Sequence, residues 1–260
     1  MKTQLDIIIE TKRKEIEILK QNFTYQDFEK SPFFKQETRS LSKALTKSNF
    51  GLIAEIKRMS PSAGVINSKL DVRKQAIIYQ ENGVAAISCL TDTTYFGGSN
   101  QDLMDIKELI QVPVLRKEFI IDEIQLFESK AIGADAILLI AEVLTHQQAL
   151  ELTIIAQGLG MEVIMEFHNR RELQKINHLV NIVGVNNRNL KLQITDIQTS
   201  YDMIDFLPKD QLRISESGIK SLSEITELKK LGFHGALVGE QILKFENPSE
   251  VIQSLTTELC

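Results

Sequence analysis

The chain has only two cysteines in 260 residues, Cys89 and Cys260, which build neither a disulfide framework nor a thiolate zinc site. Cys89 lies in an apolar run and Cys260 is the last residue, so they read as a buried small hydrophobe and a tail residue. An excess of positive charge is also missing. Thirty lysines and arginines stand against 35 aspartates and glutamates, a net of −5. That argues against a nucleic-acid or acidic-membrane partner, which would select a basic surface. Long hydrophobic runs are lacking too. The stretch Ala136–Ala141 is far too short to cross a bilayer, and Met1-Lys-Thr-Gln-Leu-Asp6 carries no signal-peptide core. Asn22-Phe23-Thr24 fits a glycosylation acceptor, but without a secretory signal the match is chance. At 43% hydrophobic and 25% charged, the composition is ordinary for a globular chain. The expectation is a soluble, cytoplasmic protein.

All 13 glycines come after residue 50. In the glycine-free part Leu5, Ile9, Ile16 and Leu19 recur at helical spacing beside the charge run Thr11-Lys-Arg-Lys-Glu-Ile-Glu17. This predicts one amphipathic helix, a loop around Ser31-Pro32 and a second short helix. Such a segment is too small to fold alone and must pack on the rest of the chain.

From Gly51 short apolar runs alternate with amphipathic segments. Strands are predicted at Leu52–Lys57, Ala85–Leu90, Val112–Lys117, Ala136–Ile140, Glu162–Glu166, Ile182–Asn186, Leu212–Glu216 and Ala236–Val238. Helices are predicted between them, at Val72–Glu81, Leu103–Ile110, Ile124–Ala131, Gln147–Ala156 and Leu222–Leu231. Gly83, Gly133 and Gly232 each stand where a helix must stop just before a buried strand. The repeat averages about 26 residues, the size of a compact βα unit. Near-continuous apolar strands alternating with helices mean a parallel sheet covered on both faces. A doubly wound open sheet would carry a G-x-G-x-x-G turn after its first strand, and the sequence has none. The fold class is therefore α/β, a (β/α)8 barrel over residues 1–260, with residues 1–50 as a helical extension packed on it.

In such a barrel chemistry sits at the C-terminal ends of the strands. Glu55 and Lys57 are two apart on strand 1, share a face and should point into the mouth, where buried charge needs a partner or ligand. Lys117 ends strand 3, Glu166 strand 5, Asn186 strand 6 with Arg188 just beyond, and Glu216 strand 7. Ser217-Gly218 and Gly239-Glu240 come directly after strands 7 and 8, where backbone N–H groups in this fold face a phosphate. The histidines do worse. His146, His168, His178 and His234 show no metal-ligand pairing; His168 reads as a loop or helix start, and His234 lies at the wrong end for catalysis. Glu162 sits at the bottom of strand 5 and reads as structural.

Several ordered motifs resemble those of the indole-3-glycerol-phosphate synthase family. They are Ile53-Ala-Glu-Ile-Lys-Arg-Met-Ser-Pro-Ser62, Leu90-Thr-Asp-Thr-Thr-Tyr-Phe-Gly-Gly-Ser99, Pro113-Val-Leu-Arg-Lys-Glu-Phe-Ile-Ile-Asp122, Gly133-Ala-Asp-Ala-Ile-Leu-Leu-Ile140, Gly184-Val-Asn-Asn-Arg-Asn-Leu190 and Ser215-Glu-Ser-Gly-Ile219. The resemblance covers essentially the whole chain. It implies closure of an indole ring in tryptophan biosynthesis, from 1-(2-carboxyphenylamino)-1-deoxyribulose 5-phosphate, with release of CO2 and water and without metal or organic cofactor. By the same resemblance Lys117 is the general acid and Glu166 the base or second acid. Lys57 holds an anionic group, and either lysine can donate in each half-reaction. Glu55, Asn186 and Glu216 orient hydroxyls and the lysines. Ser60, Ser217, Gly218, Gly239 and Glu240 surround the phosphate, and Arg188 supports Asn186 or an anion. Phe96, Phe119 and Leu138 line the pocket for the aromatic ring. Ala63 departs from the family, which often has lysine there, and removes a positive charge from the loop after strand 1. Glu240 is an acid beside the expected phosphate, so its backbone N–H is expected to make the contact. The implied partner is a phosphorylated small molecule; the charge balance speaks against nucleic acid or membrane, and the expected state, with no apolar surface helix in the sequence, is a monomer with transient contacts to other tryptophan-pathway enzymes. A phosphoribosyl-anthranilate isomerase-type barrel would need a Cys/Asp pair on early strands and lacks the N-terminal helix. A non-catalytic, metabolite-binding barrel is the rival of another class.

Overall fold

A computed structural model describes residues 2–47, 49–189, 194–243, 249–250 and 252–253; Leu190 and Cys260 fall outside them. Eight parallel strands close into a barrel: β1 Gly51–Ile56, β2 Ala86–Leu90, β3 Val114–Lys117, β4 Ala136–Ile140, β5 Glu162–Phe167, β6 Ile182–Asn186, β7 Leu212–Glu216 and β8 Gly235–Val238. Each strand pairs with its neighbour in sequence, and β1 closes the ring on β8 through Leu52 opposite Ala236 and Ala54 opposite Val238. The architecture is thus the expected (β/α)8 barrel, and the predicted strand ends agree to within two residues. Outward residues such as Leu52, Ala54, Ile137, Leu139, Val163 and Met165 pack under the helices, while Ile53, Leu138, Ile164, Ile182, Ile214 and Leu237 fill the interior. Gly83, Gly133 and Gly232 all take positive φ, the left-handed turn that ends a helix and feeds the next strand.

Two connections go beyond the sequence reading. The segment after β5 folds as a 3-10 helix, Arg170–Lys175. The loop after β1 forms a small hairpin, Met59–Ser60 against Gly64–Val65. No helix among the described residues is long and apolar enough to cross a membrane.

The extension has three helices where two are predicted: α1 Gln4–Asn22, α2 Tyr25–Glu29 and α3 Leu41–Lys47. Thr24 caps a new helix, its N–H and hydroxyl both donating to Asp27, which breaks the pattern before Ser31. The extension grips the barrel at both ends. At the bottom, Leu45 of α3 packs so closely under β1 and β8 that a Cβ at Gly51 would lie 2.5 Å from it and one at Gly235 2.9 Å. Ser40 and Ser42 there donate to Glu162, the structural acid at the start of β5.

At the top, Lys12 of α1 is only 3% exposed. Its ammonium lies 2.7 Å from Asp92 and 3.1 Å from Glu118. Asp92 caps the short helix Thr93–Phe96 by accepting from Tyr95 and Phe96 N–H, and Glu118 accepts from Thr91 and from Phe119 N–H. One lysine thereby ties α1 to the loops that carry Phe96 and Phe119. Removing one partner of a buried ion pair strands the remaining charge, at about 3–5 kcal/mol. We expect Lys12→Ala to lose stability of that size in chemical denaturation at neutral pH. A loss below about 1 kcal/mol, typical of an exposed pair, would show that the strap is ornamental.

Candidate active site

Strand pleating decides which side chains reach the mouth. In β1 the outward set Leu52, Ala54 and Ile56 leaves Ile53, Glu55 and then Lys57 inside. In β3 the neighbours Arg116 and Lys117 part company. Arg116 turns to the helical layer, bonding Ser129, Glu128, Asn100 and Thr91, and Lys117 enters the barrel.

Lys117 Nζ is the centre of the site. It donates to Glu216 Oε2 at 2.8 Å and lies 3.7 Å from both Glu55 Oε2 and Glu166 Oε2. Glu55 accepts from Lys57 through its other oxygen. The carboxylates are buried: Glu55 is 4%, Glu166 1% and Glu216 0% exposed. Two glycines make room for them. A Cβ at Gly184 would stand 2.2 Å from Glu216 Oε1, and one at Gly239 2.5 Å from Glu55 Oε1.

Proton affinities reflect this crowding. Burial alone would strip the Lys117 proton, but Glu216, Glu55 and Glu166 together push its pKa above the ordinary lysine value. Glu55 also suffers from burial, yet Lys57, Lys117 and Arg188 keep its pKa below the usual carboxylate value. Glu216 goes the other way, to about 7. Burial and the like charges of Glu166 and Glu55 outweigh the pull of Lys117, so of the three acids Glu216 is the one that holds a proton most readily.

Around this centre the mouth divides into two adjoining lobes. One is apolar, walled by Phe96, Phe119 and Leu138, with the two rings 6.1 Å apart. The other is polar, walled by Ser217, Gly218, Gly239 and Glu240 with Thr195 and Lys220. Glu55, Lys57, Arg188 and Ser217 border both. Ser217 (φ 68) is the sole non-glycine with positive φ among the described residues, and Gly218 beside it has φ 73. A Cβ at Gly218 would meet Thr195 at 2.5 Å. A left-handed serine costs about 1–2 kcal/mol and gathers at ligand sites. Arg188 reaches Ser62, Thr195 and, at 3.5 Å, Glu240; its backbone N–H donates to Asn186.

Most residues singled out from sequence meet here. Ser60 does not: it lines neither lobe, and its buried hydroxyl accepts from Ala63 N–H. Ser62, two residues on, is the one that meets Arg188. The sequence reading misses Thr195 and Lys220, although Lys220 comes directly after Ser217-Gly218-Ile219. His168 stands in the loop before the 3-10 helix, as its sequence context suggests, but its side chain turns inward. It is buried, with Nε2 3.2 Å from Glu166 Oε1. Its other nitrogen faces Glu142 and Glu172, and these three side chains form the one metal-type grouping among the described residues. A protonated imidazole between carboxylates accounts for the group as an ion-pair cluster. His234 accepts from Arg213 N–H at the foot of β7, away from the mouth.

A lysine kept charged by buried acids, between an apolar slot and a cationic one, defines an acid–base enzyme of the (β/α)8 class acting on an anionic small molecule. The family can be stated more closely. The model of the indole-3-glycerol phosphate synthase family matches residues 5–255, and the chain belongs to that family. It is 41% identical to the indole-3-glycerol phosphate synthase of Bacteroides thetaiotaomicron over 98% of both chains. It is 43% identical to that of Bacillus pumilus over 85% of this chain and 90% of the relative. Among solved structures the fold is similar to 3-hexulose-6-phosphate synthase, with TM-score 0.65 and 15% identity over 81% of this chain and 100% of that one. It is also similar to a tryptophan synthase alpha-subunit mutant from Pyrococcus furiosus, with TM-score 0.61 and 15% identity over 81% and 98%. At that identity the likeness concerns the fold alone.

The raised pKa of Glu216 has a measurable consequence. Its folded-state pKa exceeds its unfolded value, so its contribution is fully present below the unfolded pKa and is lost as pH rises through about 7. We expect the stability of Glu216→Gln relative to the parent to grow between pH 5 and pH 8, by about 1–3 kcal/mol. A difference that stays flat with pH, read by denaturation at both values, would show that Glu216 is an ordinary ionised carboxylate.

Proposed function

We propose that this mouth carries out the reaction of its family with a division of labour set by the two lobes. The enzyme is a carboxy-lyase of tryptophan biosynthesis that closes the indole ring. 1-(2-Carboxyphenylamino)-1-deoxyribulose 5-phosphate loses CO2 and water and becomes indole-3-glycerol phosphate. The aryl ring lies against Phe96, Phe119 and Leu138. The phosphate lies in the polar lobe, toward the backbone N–H groups of Ser217, Gly218, Gly239 and Glu240, with Arg188 as a fixed cation. Ser60 acts on this lobe only through the shape of the loop that carries Ser62.

The reacting carbons then fall at the junction of the lobes, where Lys117 is. Lys117 protonates the ribulose carbonyl oxygen as the ring carbon attacks. Loss of CO2 restores aromaticity, and Glu166, as base or second acid, assists departure of the hydroxyl. Lys57 balances negative charge and is close enough to share the acid's role. Glu55, Glu216 and Asn186 hold both lysines and the hydroxyls in place. The observation that carries this reading is the Lys117 ammonium, kept charged by Glu216, Glu55 and Glu166 in a buried mouth. We further infer one barrel domain over residues 1–260 and a cytoplasmic monomer, in transient contact with other tryptophan-pathway enzymes.

A positioned acid is worth roughly 10²–10⁴ in rate. We expect Lys117→Ala to lose that much turnover, followed by absorbance of the indole product, in protein that circular dichroism shows is still folded, with a melting temperature lowered by the buried carboxylates it leaves behind. Near-normal turnover would overturn the assignment. Tight substrate binding by the parent without product would favour a binding barrel instead.

A further inference from the structure

We propose that His168 is a positioning residue for Glu166: a buried imidazolium braced by Glu142 and Glu172 on one side and pressed against the Glu166 carboxylate on the other. The inference rests on the reading of Glu166 as a proton-transfer group.

The geometry begins with strand alternation. Phe167 points out into the helical layer, so Glu166 and His168 emerge on the same side of β5. The His168 side chain is 3% exposed. Its Nε2 lies 3.2 Å from Glu166 Oε1, and its Nδ1 lies 3.8 Å from Glu172 Oε2 and 3.9 Å from Glu142 Oε2. Glu172 is itself fixed, accepting from His168 N–H at 2.8 Å and from the Asn169 amide. The 3-10 helix after β5 is what returns Glu172 over the ring, four residues on.

Acceptors stand on both sides of the imidazole, and a neutral ring has only one N–H to offer. Carboxylates face both nitrogens at ion-pair distance, closest at Nε2, so the buried ring is stabilised as a cation by charge rather than by formed hydrogen bonds. Burial opposes that charge, but Glu166 and Glu172 overcome it and raise the pKa to about 10. The charged groups around the ring are Glu142 from the loop after β4, Glu166 on β5 and Glu172 on the 3-10 helix. Lys117 on β3 lies beyond Glu166, and Lys175 donates to Ala141 O, next to Glu142.

Glu166 thus lies between two cations, with His168 Nε2 3.2 Å from Oε1 and Lys117 Nζ 3.7 Å from Oε2. Burial would protonate this acid, and these neighbours keep its pKa below the usual value. A histidine that only filled space behind the strand would need neither nitrogen against a carboxylate.

The test compares His168→Gln, Glu172→Gln and Glu166→Gln in steady-state kinetics across pH. Removing the cation raises the pKa of Glu166, so the acid limb of the kcat profile moves to higher pH. In His168→Gln we expect a shift of about one unit or more, a kcat lower by about tenfold at neutral pH, and KM little changed. Glu172→Gln shifts the limb the same way by less. An unchanged limb and kcat in His168→Gln, with Glu166→Gln inactive, overturns the role of His168. A Glu166→Gln enzyme that turns over like the parent overturns the reading of Glu166 itself, a separate failure. Histidine ¹⁵N spectra of the parent need no variant to fold: both His168 nitrogens protonated at pH 8 supports the inference, and a neutral tautomer there overturns it.

Discussion

Lys117 among its three carboxylates is the interaction on which the rest depends. A buried ammonium is stable only where opposite charge closes on it from several sides. Here the charge comes from Glu55, Glu166 and Glu216, on three separate strands of the ring. A closed barrel is the architecture that aims those strand ends at one point. The apolar interior beneath, with Ile53, Leu138, Ile164 and Ile214, supplies the low dielectric that makes the ion pairs strong and their proton affinities unusual. Gly184 and Gly239 yield the space the carboxylates occupy. Bottom, core and mouth are therefore one mechanical unit, closed below by Leu45 of α3.

Charge balance also explains the outer contacts. Glu55 sits between Lys57 and Lys117, and Glu166 between Lys117 and His168. Each of these two carboxylates is shared by two cations. Glu216 is fully buried beside Glu166 and Glu55 with Lys117 alone at close range, so burial and like charge prevail and its carboxyl is the one poised to protonate. The loops obey the same economy. Lys12 binds Asp92 and Glu118, fixing the walls of the apolar lobe from above, while Arg188 joins the hairpin after β1 to Glu240 at the polar lobe.

The barrel was legible because its strands are apolar on both faces and its helices end in left-handed glycines, signals that need no tertiary context. The strand-end acids and lysines were legible for the same reason, since alternation assigns Glu55 and Lys57 to one face. The hidden part depends on geometry between distant residues. Lys12 stands in a charge run that reads as solvated, and only the approach of α1 to Asp92 and Glu118 singles it out from Arg13 and Lys14. His168 looks like an ordinary loop residue until the 3-10 turn brings Glu172 back over it. Ser60 and Ser62 are equivalent in sequence, and the hairpin decides that Ser62 faces Arg188. The net charge of −5 described the surface and gave no hint of the cations gathered at one mouth.

The central claim is that Lys117 is held as an ammonium by its three carboxylates. It is tested most directly by following the Nζ resonance of Lys117, in ¹⁵N-lysine-labelled enzyme assigned with Lys117→Arg, through an alkaline titration. The account predicts that the ammonium persists beyond the ordinary lysine value of about 10.4. Deprotonation well below that value would contradict it, because burial would then have defeated the carboxylates.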